Sequence, residues 1–227
     1  HLSIKCRYKI IRILNTIFGI LIPSILYSIR YGIGTDYFNY ASAFNTLQYT
    51  GFEGRFEWAY VSINLLVGKL DGNLESVFFI TAVIMFIFLR EILKEHSNIL
   101  SPGIITLTYM LVYYQMSFNL VRNSVAMIIC LYSYRFIKER SLLKFVLVVI
   151  LASGFHNSAL LVIPLYFFFN VLGKKTKVVS RISLYVITAL SVFFLDKVLI
   201  PVLQLIPKLS YYIFYIEGSA NEISFVP

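Results

Sequence analysis

Long stretches without a charged residue recur along this chain of 227 residues. Several of them run for roughly 15 to 24 residues, which is about the length of helix that crosses the hydrocarbon core of a membrane. The chain is 59% hydrophobic and only 14% charged, whereas about a quarter of the residues of a soluble domain carry a charge. We therefore predict an all-α, polytopic membrane protein with about seven or more transmembrane helices.

The predicted spans are separated by short charged or polar segments. In chain order the apolar runs are Ile13–Ile29, Leu74–Leu89, Asn98–Val121, Asn123–Tyr134, Phe145–Leu172 and a further run that starts at Ile182. A single helix over Phe145–Leu172 would be about 42 Å long, longer than a hydrocarbon core of about 30 Å. We therefore predict two short helices there, with a turn at Ser153–Ser158.

A longer polar stretch, residues 30–73, separates the first two spans. Within it, Phe56–Leu70 carries apolar residues near helical spacing, which predicts a short helix lying along the membrane interface. We predict that this stretch is an outer-face loop of a single transmembrane helical domain over residues 1–227. The chain starts at His1 rather than Met and lacks a polar tail after Pro227, so we expect a fragment of a longer protein.

The distribution of basic residues predicts the orientation, because cytoplasmic loops carry an excess of Lys and Arg. With the amino terminus in the cytoplasm, most of the 20 Lys and Arg residues fall on the inner side. The net charge of +9 then reflects loops held at the cytoplasmic leaflet, and we expect no nucleic-acid partner. The same orientation places Arg30, Asp36, Arg122 and His156 on the outer side.

Two of these residues are arginines, which suit an anionic ligand because the guanidinium group matches phosphate oxygens bidentately and stays charged. Arg122 is predicted at the start of a helix, where free backbone N–H groups also favour an anion. Together with Asn119 and Asn123 it could hold a phosphate. The alternative is an arginine that snorkels to the outer headgroups.

His156, in the segment SGFHNS, could act as a general base because histidine titrates near neutral pH. It could equally be a hydrogen-bonded histidine that caps the next helix. Asp36 could be a base, or it could pair with Arg30. The sequence contains no P-loop, HExxH or GxSxG motif and no metal-binding cluster, and we expect neither a metal nor another cofactor.

Aromatic and acidic residues near these positions could contact a sugar or a lipid. Tyr37 and Tyr40 could stack on sugar rings, although tyrosines are ordinary residues at a membrane interface. Glu57 is open to the same two interpretations.

Two segments resemble a known family. The stretch RYGIGTDYFNY, Arg30 to Tyr40, resembles the R-x-G-x-G-T-D-Y-x-x-Y segment of the EpsG family of bacterial exopolysaccharide polymerases, relatives of Wzy-type O-antigen and capsule polymerases. Phe118 to Phe167 is similar to the second signature of that family, an N-x-x-R-x-x-x-A helix, a basic turn and an apolar helix ending in F-H-x-S-A. The resemblance covers roughly Ile13 to Tyr215. It departs at Asn123, where the family usually has glutamine.

The resemblance implies a metal-independent glycosyltransferase of the bacterial inner membrane that polymerises repeat units carried on undecaprenyl diphosphate. Arg122 and Arg30 would bind the diphosphate, and His156 would be the base, with Asp36 as its substitute or orienting group. Expected partners are the lipid-linked glycan, membrane lipids and a chain-length regulator. The alternatives are a flippase or transporter for the same lipid, a glycan ligase or acyltransferase, and a structural membrane subunit. A transporter would favour internal repeats, and the sequence has no clear one.

Overall fold

The computed structural model describes residues 2–52, 56–98 and 101–172, and all regular secondary structure there is helical. This confirms the all-α prediction for that part of the chain. The chain divides into two compact units, His1–Val171 and Leu172–Pro227, and the first of them is described below. The predicted span that starts at Ile182 lies outside the described residues.

The α-helices within the described ranges follow in chain order. They are α1 Leu2–Ser28, α2 Tyr37–Thr50, α3 Trp58–Lys69, α4 Leu74–His96, α5 Pro102–Thr108, α6 Tyr114–Met116, α7 Val121–Lys138, α8 Leu142–Ser153 and α9 Ile163–Leu172. A π-helical turn, Tyr109–Tyr113, joins α5 to α6, and a 3₁₀ helix, Asn157–Val162, precedes α9.

These helices lie over the predicted apolar runs, but α1 starts earlier than predicted, at Leu2, and α4 ends later, at His96. The chain turns after α8 and resumes as a helix at Asn157, so the two short helices predicted within Phe145–Leu172 are present. Helix α3 lies within the predicted helix Phe56–Leu70. The predicted third and fourth spans meet at a non-helical break, Ser117–Leu120, a few residues before the predicted boundary.

One helix among the described residues, α4, is long and apolar enough to cross a membrane. Shorter apolar helical stretches are Ile13–Ser28, Leu142–Ser153 and Asn157–Phe167. The number of spans, the orientation of the chain and the position of residues 30–73 on an outer face stay predictions.

Helix α4 forms the centre of this unit, because it packs against both α1 and α7. Its Val77, Phe78 and Met85 side chains are fully buried. The helix begins cleanly at Leu74, since the Asn73 side chain accepts a hydrogen bond from the backbone N–H of Ser76 at 3.1 Å and so satisfies a free donor of the first turn. Helix α8 packs against α7, which adds the next layer of the bundle.

The chain after α8 folds back along the bundle. The rings of Phe145 in α8 and Tyr166 in α9 lie 5.2 Å apart, and Tyr134 of α7 contacts Phe169 at 5.9 Å. Both ring pairs have tilted or edge-to-face geometry, which aromatic side chains prefer. His156 therefore lies in the turn of a helical hairpin.

Contacts at the two ends of α4 define the directions of the neighbouring helices α1 and α7. Phe78, near its start, lies under the guanidinium of Arg30, which follows α1. Glu95, near its end, accepts a hydrogen bond from Lys138 of α7 at 3.1 Å and lies 3.9 Å from Arg135. Because α4 has 23 residues, its two ends are about 34 Å apart. Helix α1 is thus antiparallel to α4 and α7 is parallel to it, as expected for successive helices that alternate in direction.

A backbone contact joins α3 to the end of α8. The Gly154 carbonyl accepts hydrogen bonds from the N–H groups of Ala59 at 2.8 Å and Tyr60 at 3.2 Å, which are otherwise unpaired in the first turn of α3. A Cβ atom at Gly154 would lie 2.6 Å from the Trp58 ring and 2.8 Å from the Ala59 methyl group. Glycine is needed here because the start of α3 and the end of α8 approach each other so closely.

Replacing Gly154 with alanine should destabilise the protein by about 1–3 kcal/mol, the usual cost of forcing an extra methyl group into a packed region. Thermal unfolding of the purified protein in detergent should show a lower Tm. Gly19→Ala in α1 is the matched control, since no atom lies within 4 Å of its added methyl group. A wild-type Tm for Gly154→Ala would contradict this close approach.

Candidate functional site

Three consecutive carbonyl groups at the break before α7 are bound by side chains from α1, from α2 and from the segment that joins them. Tyr27, Arg30 and Tyr40 donate hydrogen bonds, in that order, to the carbonyl oxygens of residues 117, 118 and 119, at 2.7, 2.5 and 3.0 Å. Buried carbonyl groups at the end of a helix need such partners. The break is therefore held open as a defined turn, and α7 can start at Val121.

Arg30 is almost wholly buried, with 3% of its surface exposed. Its guanidinium lies over the rings of Tyr27, Phe78 and Phe118 at 4.2 to 4.7 Å, and burial lowers its pKa. The nearby carbonyl-rich helix end favours a cation. Its Nε and Nη2 atoms have no hydrogen-bond partner in the described part of the chain. The alternative of an ion pair with Asp36 is not realised among the residues that the structure describes.

Gly34 brings the Arg30–Tyr40 segment against this break. Its φ of +101° is one that glycine adopts readily, and a Cβ atom there would lie 2.6 Å from the Asn119 Oδ1 atom and 3.3 Å from the Phe118 carbonyl oxygen. The two segments that carry the family resemblance are thus in direct contact. Arg30, Gly34 and Tyr40 of the first segment contact the start of the second.

Asp36 precedes α2, and its Oδ1 accepts a hydrogen bond from the Asn39 amide at 3.1 Å. Tyr37 and Tyr40 are both buried, so neither ring offers an open face to a sugar. Burial raises the pKa of the Tyr40 phenol, the charge of Arg122 opposes this shift, and that of Asp36 adds to it.

Glu57 joins two residues that are distant from it in the sequence, Arg122 in α7 and His156 in the turn after α8. The side chain is 6% exposed and uses both carboxylate oxygens. Oε2 pairs with Nη1 of Arg122, while Oε1 accepts hydrogen bonds from Nδ1 of His156 at 3.1 Å and the backbone N–H of Asn157 at 3.2 Å. We call Glu57, Arg122 and His156 the carboxylate cluster. A buried carboxylate needs such partners because an unpaired charge is costly away from water.

Arg122 lies in the first turn of α7, as predicted, with 23% of its side chain exposed. Its guanidinium stacks over Phe56 at 4.8 Å and lies 5.8 Å from the Tyr60 ring centre. It pairs with a carboxylate across the bundle, so the predicted alternative of a snorkelling arginine does not describe its contacts. Its Nε atom has no hydrogen-bond partner among the described residues.

The contact with Glu57 determines which nitrogen of the neutral His156 ring carries the hydrogen. A carboxylate that is paired with an arginine has no hydrogen to donate, so Nδ1 of His156 carries the hydrogen of their bond. In the neutral ring, Nε2 then holds the lone pair. Nε2 has no protein hydrogen-bond partner within the described residues, and 35% of the side chain is exposed. In its neutral form, His156 is thus oriented to accept a proton at Nε2.

The two asparagines predicted to assist Arg122 differ in their surroundings. Asn119 has a buried Oδ1 without a partner in the described ranges, and its backbone carbonyl is taken by Tyr40. Asn123 is half-buried in the first turn of α7. Their joint role in binding phosphate stays a prediction.

Sequence reasoning named Glu57 only as a possible sugar or lipid contact and missed its link to Arg122 and His156. The available signal was a carboxylate next to Trp58 at the start of an apolar helix.

Among the residues described, no group of three or more His, Cys, Asp or Glu side chains is placed to hold a metal ion.

These features define an all-helical bundle with an arginine–carboxylate–histidine cluster at the end where α7 begins and α8 ends. The chain matches the EpsG family over residues 13–226, nearly its whole length, and belongs to that family. The family is associated with exopolysaccharide biosynthesis and polysaccharide polymerase activity, as the resemblance implied. Neither a curated protein nor a solved structure matches this chain.

Replacing Tyr40 with phenylalanine should lower the free energy of unfolding by about 1 kcal/mol, because it leaves the carbonyl of residue 119 without its donor. The measurement is the thermal unfolding midpoint of the purified protein. Tyr49→Phe on the same helix is the matched control, since Tyr49 is 92% exposed. Equal midpoints for the two variants would mean that the Tyr40 hydroxyl does not hold the break.

Proposed function

We propose that this protein joins undecaprenyl-diphosphate-linked oligosaccharide repeat units on the outer face of the bacterial inner membrane, in O-antigen, capsule or exopolysaccharide biosynthesis. The observation that carries the proposal is the carboxylate cluster, in which one buried carboxylate holds a proton acceptor and a cation together. Membership of the EpsG family supports a polymerase over other uses of such a cluster.

The proposed reaction needs no metal. Nε2 of His156 accepts the proton of a sugar hydroxyl on the incoming repeat unit. The hydroxyl oxygen attacks the anomeric carbon of the growing glycan, and the bond from that carbon to the lipid diphosphate breaks. The bonding electrons leave with the diphosphate, whose charge Arg122 stabilises. Asp36 orients the hydroxyl or substitutes as a base, and the buried Arg30 adds positive charge at longer range.

The proposed membrane orientation is supported by the polarity of the bundle. The end opposite the carboxylate cluster carries the basic residues Arg135, Lys138 and Lys144, which contact Glu95 and Glu139. Basic residues of this kind mark the cytoplasmic side. The carboxylate cluster then faces outward, where lipid-linked repeat units are joined.

Labelling of single cysteines tests this orientation. In a background with Cys6→Ser and Cys130→Ala, a membrane-impermeant maleimide should label Ser158→Cys in intact spheroplasts. Lys144→Cys should react only after the membrane is opened with detergent, because it lies at the basic end. The reverse pattern, or labelling of both in intact spheroplasts, would contradict the proposed orientation.

Substitutions in the carboxylate cluster test the reaction. His156→Gln and Arg122→Lys are each expressed from the full-length gene in a deletion host. His156→Gln should reduce polymerisation by roughly 10²- to 10⁴-fold, the range of a general acid–base contribution, and Arg122→Lys by roughly 10²- to 10³-fold, the range for loss of one electrostatic donor. Lysine does not reproduce the planar guanidinium fork. The measurement is the surface-glycan ladder on a gel, with protein amounts followed by immunoblot. His96→Gln, at the opposite end of α4, should leave the ladder unchanged.

The glycan pattern of the deletion host separates the alternatives. Loss of the ladder with a surviving single-repeat band means a polymerase. Loss of all surface glycan with lipid-linked units retained inside means a flippase, whereas polymer that is made but left on its lipid means a ligase. An intact ladder in the deletion host, or in both variants, would overturn the proposed function.

A further inference from the structure

We propose that Glu57 is a positioning residue that acts as a shared counter-ion, held by Arg122 before the reaction and by protonated His156 during it. This inference rests on the proposed function. Glu57 lies between the two segments that carry the family resemblance, so neither segment includes it.

The division of the two carboxylate oxygens is the first support. Oε2 faces Arg122, while Oε1 faces His156 and the Asn157 backbone. One negative charge therefore serves two groups, only one of which is permanently positive. At 6% exposure the Glu57 side chain has little water to replace either partner.

The charge changes during the proposed reaction explain why Arg122 and His156 would share one carboxylate. Before reaction the neutral His156, the Arg122 cation and the Glu57 anion sum to zero. When Nε2 takes the hydroxyl proton, the imidazolium forms directly against Glu57, which stabilises it. The departing diphosphate gains a negative charge at the same moment. Arg122 can then pair with the diphosphate, because Glu57 has acquired a second cation.

The backbone around Glu57 makes it suited to positioning. Glu57 immediately precedes the turn of α3 whose N–H groups bind the Gly154 carbonyl, and Gly154 is two residues before His156. The carboxylate and the imidazole are thus attached to the same backbone junction. A longer or shorter side chain at position 57 would change the distance between Oε1 and Nδ1 directly.

Glu57→Gln is the central variant, because it retains the shape and an acceptor oxygen but removes the charge. Membranes from the deletion host expressing each variant are supplied with lipid-linked repeat units extracted from that host. We expect Glu57→Gln to reduce kcat about 10²-fold or more, with little change in KM. Glu57→Asp, which keeps the charge, should recover part of this loss. Glu95→Gln is the matched control, as Glu95 also lies between two cations, and its kcat should equal that of wild type.

The double variant separates positioning from a general loss of structure. If Glu57 acts through His156, Glu57→Gln combined with His156→Gln should be no slower than His156→Gln alone. Losses that multiply would overturn the proposal, as would wild-type kcat for Glu57→Gln beside an inactive His156→Gln. Wild-type activity in both His156→Gln and Arg122→Lys would instead overturn the proposed function itself.

A spectroscopic readout does not depend on turnover. In protein labelled with ¹⁵N-histidine, the signal of neutral His156, assigned by its absence in His156→Gln, should report a hydrogen on Nδ1 and a bare Nε2. Replacing Glu57 with leucine should remove this preference. A hydrogen on Nε2 in the wild-type protein would overturn the proposal, even if no Glu57 variant were recovered in membranes.

Discussion

A helix that ends inside an apolar bundle leaves carbonyl groups that must find donors, and the described part of this protein depends on how that requirement is met at residues 117–119. Two tyrosine hydroxyls and one arginine supply the donors, one for each carbonyl. The interaction stabilises the break before α7. It also ties α1 and α2 to the point where α7 starts, and so fixes where Arg122 can lie.

The polar residues at this end of the bundle consequently divide into two groups with different tasks. Arg30, Gly34 and Tyr40 support the break and are covered by the structure around them. Arg122 and His156 keep part of their surface exposed and share Glu57. Ionisable residues deep in a membrane usually serve a function. The contacts of Arg30 give a structural reason for a buried arginine, because its guanidinium donates to a backbone carbonyl and stacks on aromatic rings.

The sequence was sufficient to predict the helical class, the hairpin around His156 and the position of Arg122 at a helix start. These follow from local signals, namely apolar run length and turn residues. It was not sufficient to predict which polar residues meet. Glu57 and His156 are 99 positions apart in the sequence, and no local signal indicates their contact. The burial of Arg30 likewise depends on the rings of Tyr27, Phe78 and Phe118, which come from three different segments. Glu57 was undervalued for the same reason, since a carboxylate before a helix is common and only its partners distinguish it.

The backbone junction at Gly154 has a consequence for how a substrate reaches the cluster. Two main-chain hydrogen bonds and the Glu57–Asn157 contact join the start of α3 to the turn after α8. Separating these elements would break all three hydrogen bonds at once, so we expect this side of the site to be rigid. If the proposed reaction takes place at this cluster, its bulky substrate has to enter past some other boundary, and motion that admits the substrate is to be sought away from α3 and α8.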